Sequence, residues 1–206
     1  MGEARDDAAG VEAAGVEAGV EAVGREVADL AAATAAEVRT YLATVTEVAT
    51  GRMDSTALSV LLLAVSQVLV TGARLGALDD VVPARRFEPD AGPDADVDAV
   101  RASLANVLEG LDDYAEVVDP LTNAELVRGA LSDDLTSVAV DLEHGLRHHE
   151  HGDITEALWW WQFSYLSSWG PRATAALRVL QSLLAHLRLD VDAETASDAE
   201  FDALHP

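Results

Sequence analysis

All four tryptophans of this 206-residue chain lie between Trp159 and Trp169. They occur in Leu158-Trp159-Trp160-Trp161-Gln162-Phe163-Ser164-Tyr165, closed by Trp169-Gly170-Pro171. Side chains this large need a core to enter, so the rest of the chain has to supply one. The stretch reads as a helix. Asp153 and Glu156 form a capping box at its start, and Gly170-Pro171 is expected to end it and open the next helix. At helical spacing Leu158, Trp161, Tyr165 and Trp169 make one apolar stripe, with Trp159, Phe163 and Leu166 beside it. Each buried aromatic contributes about 4–6 kcal/mol before entropy, an upper bound by area. Gln162 lies between the stripes as a core amide. Trp160 points the other way, towards Ser164, Ser167 and Ser168, and an indole on a serine face is a common interface anchor. Trp160, Ser164 and Ser167 are therefore the candidate partner-binding residues.

Several classes of chemistry are closed off. Without cysteine there are no disulfides, thiolate metal sites or cysteine nucleophiles. The net charge is −24, and all 13 basic residues are arginine. Such a chain lacks the cationic footprint that direct contact with nucleic acid or anionic membrane requires, while a basic protein partner is admissible. The acidic N-terminus is unlike a secretory signal. The most apolar run, Ala57 to Val70, is too short to span a bilayer. A cytoplasmic location follows.

The remaining chain divides into helices and one long loop. Residues 1–20 repeat Gly-Val-Glu-Ala and read as a flexible low-complexity extension, since glycines weaken an isolated helix. A first helix covers about 21–50, with Val23, Val27, Leu30, Val38, Tyr41, Val45 and Val48 on one face. Asp54 caps a second, about 55–78, apolar nearly all round and so central. Residues 79–95 hold three prolines and form the loop. Arg85 and Arg86 in that loop, with Arg74 before it and Gln162 on the aromatic helix, are the candidate residues for an anionic ligand. A heptad-like seam from Val97 to Val118 predicts a third helix over about 96–118, and Thr122-Asn123-Ala124-Glu125 a short helical turn.

Ser132-Asp133-Asp134 then caps a helix over about 133–151. Leu135, Val138, Leu142, Leu146 and His149 line its inner face. Asp141, His144, His148 and His151 fall on the outer one. Histidines at i and i+4 can share an ion, which makes His144, His148 and His151 the metal candidates. Because that face is expected to look into solvent, with no closed pocket, no metal is expected there. A last helix covers about 171–188, and residues 190–206 read as an acidic, mobile tail.

Glu156-Ala157-Leu158-Trp159-Trp160-Trp161-Gln162-Phe163, Trp169-Gly170 and Ala176-Leu177-Arg178-Val179-Leu180 resemble the bacterial domain of unknown function 5063, over about Tyr41 to Leu189. Gly76-Ala77-Leu78-Asp79-Asp80 and Phe87-Glu88-Pro89-Asp90-Ala91-Gly92-Pro93 are similar to its high-GC branch. The resemblance brings no catalytic residue. Histidines tend to surround the Trp-Gly of the wider family, whereas Ser167-Ser168 stand here, so it implies no histidine site at that point. It also implies an association with a nucleic-acid-processing partner, since that branch is encoded near recombination-mediator genes.

The expected fold is all-α, an antiparallel bundle of about six helices in a single domain over 21–189, with one long Pro-rich loop. The expected function is non-enzymatic, a protein-interaction or adaptor module without cofactor, with a homodimer left open. The alternative is an anionic-ligand-binding or hydrolytic domain built on the arginine loop.

Overall fold

The structure, a computed structural model, describes residues 3–53, 56–119 and 123–189. It is a helical bundle of α1 (Glu3–Ala49), α2 (Ala57–Gly76), α3 (Asp98–Val107), α4 (Leu131–Glu150), α5 (Ile154–Ser164) and α6 (Gly170–Leu189). Among the described residues the one sheet is a hairpin, β1 (Asp113–Asp119) and β2 (Asn123–Ala130). The acidic tail and the Asp54 cap expected for the second helix lie outside the described residues.

Helix α1 reaches back through the glycine repeats to Glu3. Its packing begins well inside: Val23 is exposed, and burial sets in at Ala31, Ala35, Val38, Tyr41, Val45 and Val48. The Tyr41 hydroxyl donates to the Leu135 carbonyl of α4, and full burial raises its pKa far above the usual tyrosine range. Helix α2 packs between α1 and α6 through Leu61, Val65, Val68 and Leu75. By length and composition alone it would also fit a bilayer.

The third predicted helix is wrong in its second half. Helix α3 ends at Val107, and Gly110, at φ 80°, turns the chain. From there burial alternates residue by residue from Leu111 to Val117, the period of a strand. Leu111, Tyr114 and Val118 match a heptad by spacing, but Tyr114, Val117 and Val118 also suit a strand. The Thr122–Glu125 helical turn is likewise replaced: β2 begins at Asn123, with Thr122 outside the described residues. Tyr114 pairs across the ladder with Gly129, and a Cβ there would lie only 2.6 Å from the Tyr114 ring. The hairpin base also caps α4, whose N-cap is Ala130, two residues upstream of the expected Ser132 cap. The Asp112 carboxylate accepts from the Ser132 N–H and hydroxyl, both at 2.7 Å. Tyr114 donates to Asp134 in the first turn of α4, and burial raises both their pKa values.

The expected break at Gly170-Pro171 does not occur. Helices α5 and α6 run on through a π turn, Tyr165–Trp169. Proline lacks an N–H and crowds the carbonyl four residues back, and the wider turn relieves both problems. The Gly170 N–H reaches the Tyr165 carbonyl five residues back. A side chain at 170 would put its Cβ 2.2 Å from that oxygen. The π turn also resets the phase. In pure α-helix Trp169 would sit about 80° round from Trp161, at about 100° per residue. Here both are fully buried, and Trp169 Nε1 donates to the Trp161 carbonyl at 3.3 Å.

These rings seat on glycines. A Cβ on Gly145 of α4 would lie 2.3 Å from Trp161 Nε1, and one on Gly72 of α2 2.4 Å from both Trp169 and Tyr165. Gly24 of α1 has nothing within 4 Å of that position among the described residues. Gly145→Ala should therefore cost at least about 2 kcal/mol by overpacking. Gly24→Ala should be neutral or stabilising by up to about 1 kcal/mol through helix propensity. Chemical denaturation of the two variants measures both; equal effects would contradict the seating.

Candidate functional site

The long loop between α2 and α3 is bound along its length to α4 and α5. Gln162, buried on α5, donates from Nε2 to the Leu75 and Asp79 carbonyls at 2.9 and 3.2 Å. Its Oε1 accepts from the Val81 N–H at 2.7 Å. Both ends of the amide are thus used in holding the loop. Further on, Glu156 accepts from the Arg85 N–H at 3.2 Å, and Asp153 pairs with the Arg85 guanidinium at 2.9 Å. The expected capping box does not form: Asp153 is the N-cap of α5 but makes no side-chain capping hydrogen bond, and both acids serve the loop instead. Arg147 of α4 donates to the Pro93 carbonyl and pairs with Glu143 at 2.8 Å. Between α1, α4 and the end of this loop lies an open cavity of about 430 Å³, lined by Val45, Ala95, Val100, Ala139 and Arg147 among others.

Midway along the loop, Glu88 reaches the histidines of α4. Its Oε1 lies 2.7 Å from His144 Nε2 and 3.0 Å from His148 Nε2. Partial burial acts to raise the Glu88 pKa, but the two imidazole hydrogen bonds outweigh it and hold the carboxyl below its usual value. His148 is fully buried, and its Nδ1 has no hydrogen-bond partner among the described residues. The expectation that this face looks into solvent is corrected: periodicity gave its direction on the helix, while the loop that covers it comes from far away in sequence. His151 is exposed at the C-cap and, among the described residues, lies outside that cluster.

Trp160 is also spoken for. Its ring lies 4.0 Å from that of His144, and its Nε1 donates to the Asp141 carbonyl at 2.8 Å. It is half-buried against α4 and forms one wall of the histidine cluster. Ser164 is buried and returns its hydroxyl to the Trp160 carbonyl; Ser167 is exposed and does the same to Phe163. Ser168 donates to the Asp141 carboxylate at 2.6 Å; burial raises that carboxyl's pKa. On α5 the exposed aromatic is instead Phe163, 51% accessible and stacked on Trp159 at 5.7 Å, with Leu166 beyond it at 61%.

The structure does not gather the three arginines. Arg74 lines a groove between α1 and α2 beside Glu37, Arg85 is paired with Asp153, and Arg86 lies over Phe87 at 5.4 Å. Gln162 is a loop fastener, away from any anion clamp. Glu88 is the residue that sequence reasoning missed. It lies 56 and 60 positions from its histidines, and no spacing rule links them.

The sequence pattern of the family described as "Domain of unknown function (DUF5063)" matches residues 25–186, and the chain belongs to that family. No curated protein matches it. Among solved structures, protein BF1032 from Bacteroides fragilis is similar, with 18% identity and a TM-score of 0.57. The match covers 82% of this chain and 93% of that one, and shows a shared fold.

If the Gln162 amide fastens the loop, Gln162→Leu should leave buried backbone groups unpaired and cost about 2–3 kcal/mol. Hydrogen exchange should accelerate at the Val81 amide, with α1 little affected. Unchanged protection at Val81 would show that the loop is held by other contacts.

Proposed function

We propose that this DUF5063 protein is a helical adaptor that docks a basic segment of another protein on the surface around Phe163 and Leu166. The observation that carries this reading is exposed Phe163 on α5, stacked on the part-buried Trp159. Trp159 and Phe163 stack with their planes 12° apart, and Leu166 stands exposed one turn on. Large apolar side chains presented together to solvent are unusual and commonly mark a contact surface.

The surroundings suggest the chemistry of the partner. Gln162 fastens the start of the loop beside this surface, and that segment carries exposed Leu78 and Val82 around exposed Asp79 and Asp80. Against 37 acidic residues the chain has only 13 arginines, so its long-range field favours a cationic partner. A Lys or Arg side chain could stack on the aromatic pair while its charge meets the aspartates. Proteins that process nucleic acid carry such basic surfaces, in line with the association the family resemblance implies.

A photo-crosslinking amino acid at position 163, in cells of the natural host, tests this. The expected result is a crosslink to one basic protein, absent when the same group is placed at exposed Val23 on α1. Phe163→Ser with Leu166→Ser should then weaken binding of that protein by about 2 kcal/mol or more while leaving the melting temperature nearly unchanged. Self-crosslinking alone would indicate a homodimer, and equal labelling at 163 and 23 would remove the docking surface.

A further inference from the structure

We infer that Glu88, His144 and His148 form a binding site for one divalent first-row transition ion of the zinc class. This goes beyond the docking surface and rests on different residues. Three conditions for such a site are met by the geometry.

The first is convergence. The ligand atoms of the three side chains all lie within 4.8 Å of one another, and both Nε2 atoms face the same carboxylate oxygen. His144 and His148 are one helical turn apart, a spacing that lets two imidazoles meet one ion. In a tetrahedral site with bonds of about 2.0–2.1 Å, ligand atoms stand about 3.3 Å apart. The present 2.7 and 3.0 Å need to open by about 0.6 and 0.3 Å to reach that separation. Glu88 can supply that movement, because it lies on a loop and its side chain is 33% exposed.

The second is orientation. The His144 ring is held between the Trp160 indole at 4.0 Å and the His148 ring at 5.1 Å, edge to face. Trp160 is itself fixed to the α4 backbone through Asp141. Full burial fixes His148. The two nitrogen ligands are therefore placed by the bundle, so little ordering remains to be done on binding.

The third is ligand chemistry. Two imidazoles and one carboxylate suit zinc, iron(II) or manganese better than calcium or magnesium, which prefer all-oxygen sets. Three protein ligands leave at least one coordination position open on the Glu88 side, where solvent reaches. That is the pattern of an exchangeable site, unlike a closed structural one. The ion would also fasten the middle of the loop to α4.

The test uses the full chain, freed of any affinity tag and treated with chelator. Calorimetric titration with zinc chloride should show one equivalent bound. Glu88→Gln should weaken that binding by at least about tenfold, and His144→Gln likewise. His151→Ala, on the same helix and exposed, should leave it unchanged. Cobalt(II) should give a visible ligand-field band in the native protein and lose it in Glu88→Gln. Circular dichroism and melting curves verify that each variant is folded. Absence of one-equivalent uptake, or uptake equal in the native, Glu88→Gln and His144→Gln proteins, would overturn the site and leave the trio as a hydrogen-bonded latch.

Discussion

An indole ring can sit flat on a helix only where that helix has no side chain, and two of the buried rings here use that fact. Trp161 occupies the space over Gly145 and donates to the Leu142 carbonyl at 3.0 Å, so one ring fixes both the distance and the register of α5 against α4. Trp169 and Tyr165 do the same for α2 over Gly72. Because α5, the π turn and α6 are continuous, the two seats are mechanically one. Packing at interior density makes such contacts sensitive to a single added carbon.

The loop depends on this arrangement. Glu156 and Gln162 lie on the same helix as Trp161, with Asp153 just before it, and they bind the loop at Arg85, Val81 and Asp79. The histidines that meet Glu88 lie on the helix that Trp161 locks in place. A shift of α5 relative to α4 would therefore disturb the core, the loop fastening and the histidine cluster together. The outward side of α5, with Phe163, is left free of these duties.

Much of this was legible in the residues. Apolar periodicity identified α1, α2, α4 and α6, and Leu158, Trp161 and Trp169 are core with Tyr165 packed against them, whereas Phe163 and Leu166 of the neighbouring stripe are exposed. Proline density located the loop. The failures share a cause, which is that tertiary context decided between locally equivalent options. Leu111, Tyr114 and Val118 suit a heptad and a strand alike, and the Tyr114 contacts to Gly129 and Asp134 select the strand. Gly170-Pro171 is an ordinary helix stop unless a π turn precedes it. The covering of His144 and His148 comes from Glu88, which no local pattern ties to them. Trp160 was placed on the correct side of its helix, but that side meets α4.

The seat of Trp161 on Gly145 is tested most directly by a double-mutant cycle between the two positions. If the ring needs the bare backbone, Gly145→Ala should lose most of its penalty when Trp161 is already Leu. The coupling should then be about 1–3 kcal/mol, the range for residues in direct contact. Additive effects, within about 0.5 kcal/mol, would show that the two residues act independently and that the aromatic seat does not hold α5 to α4.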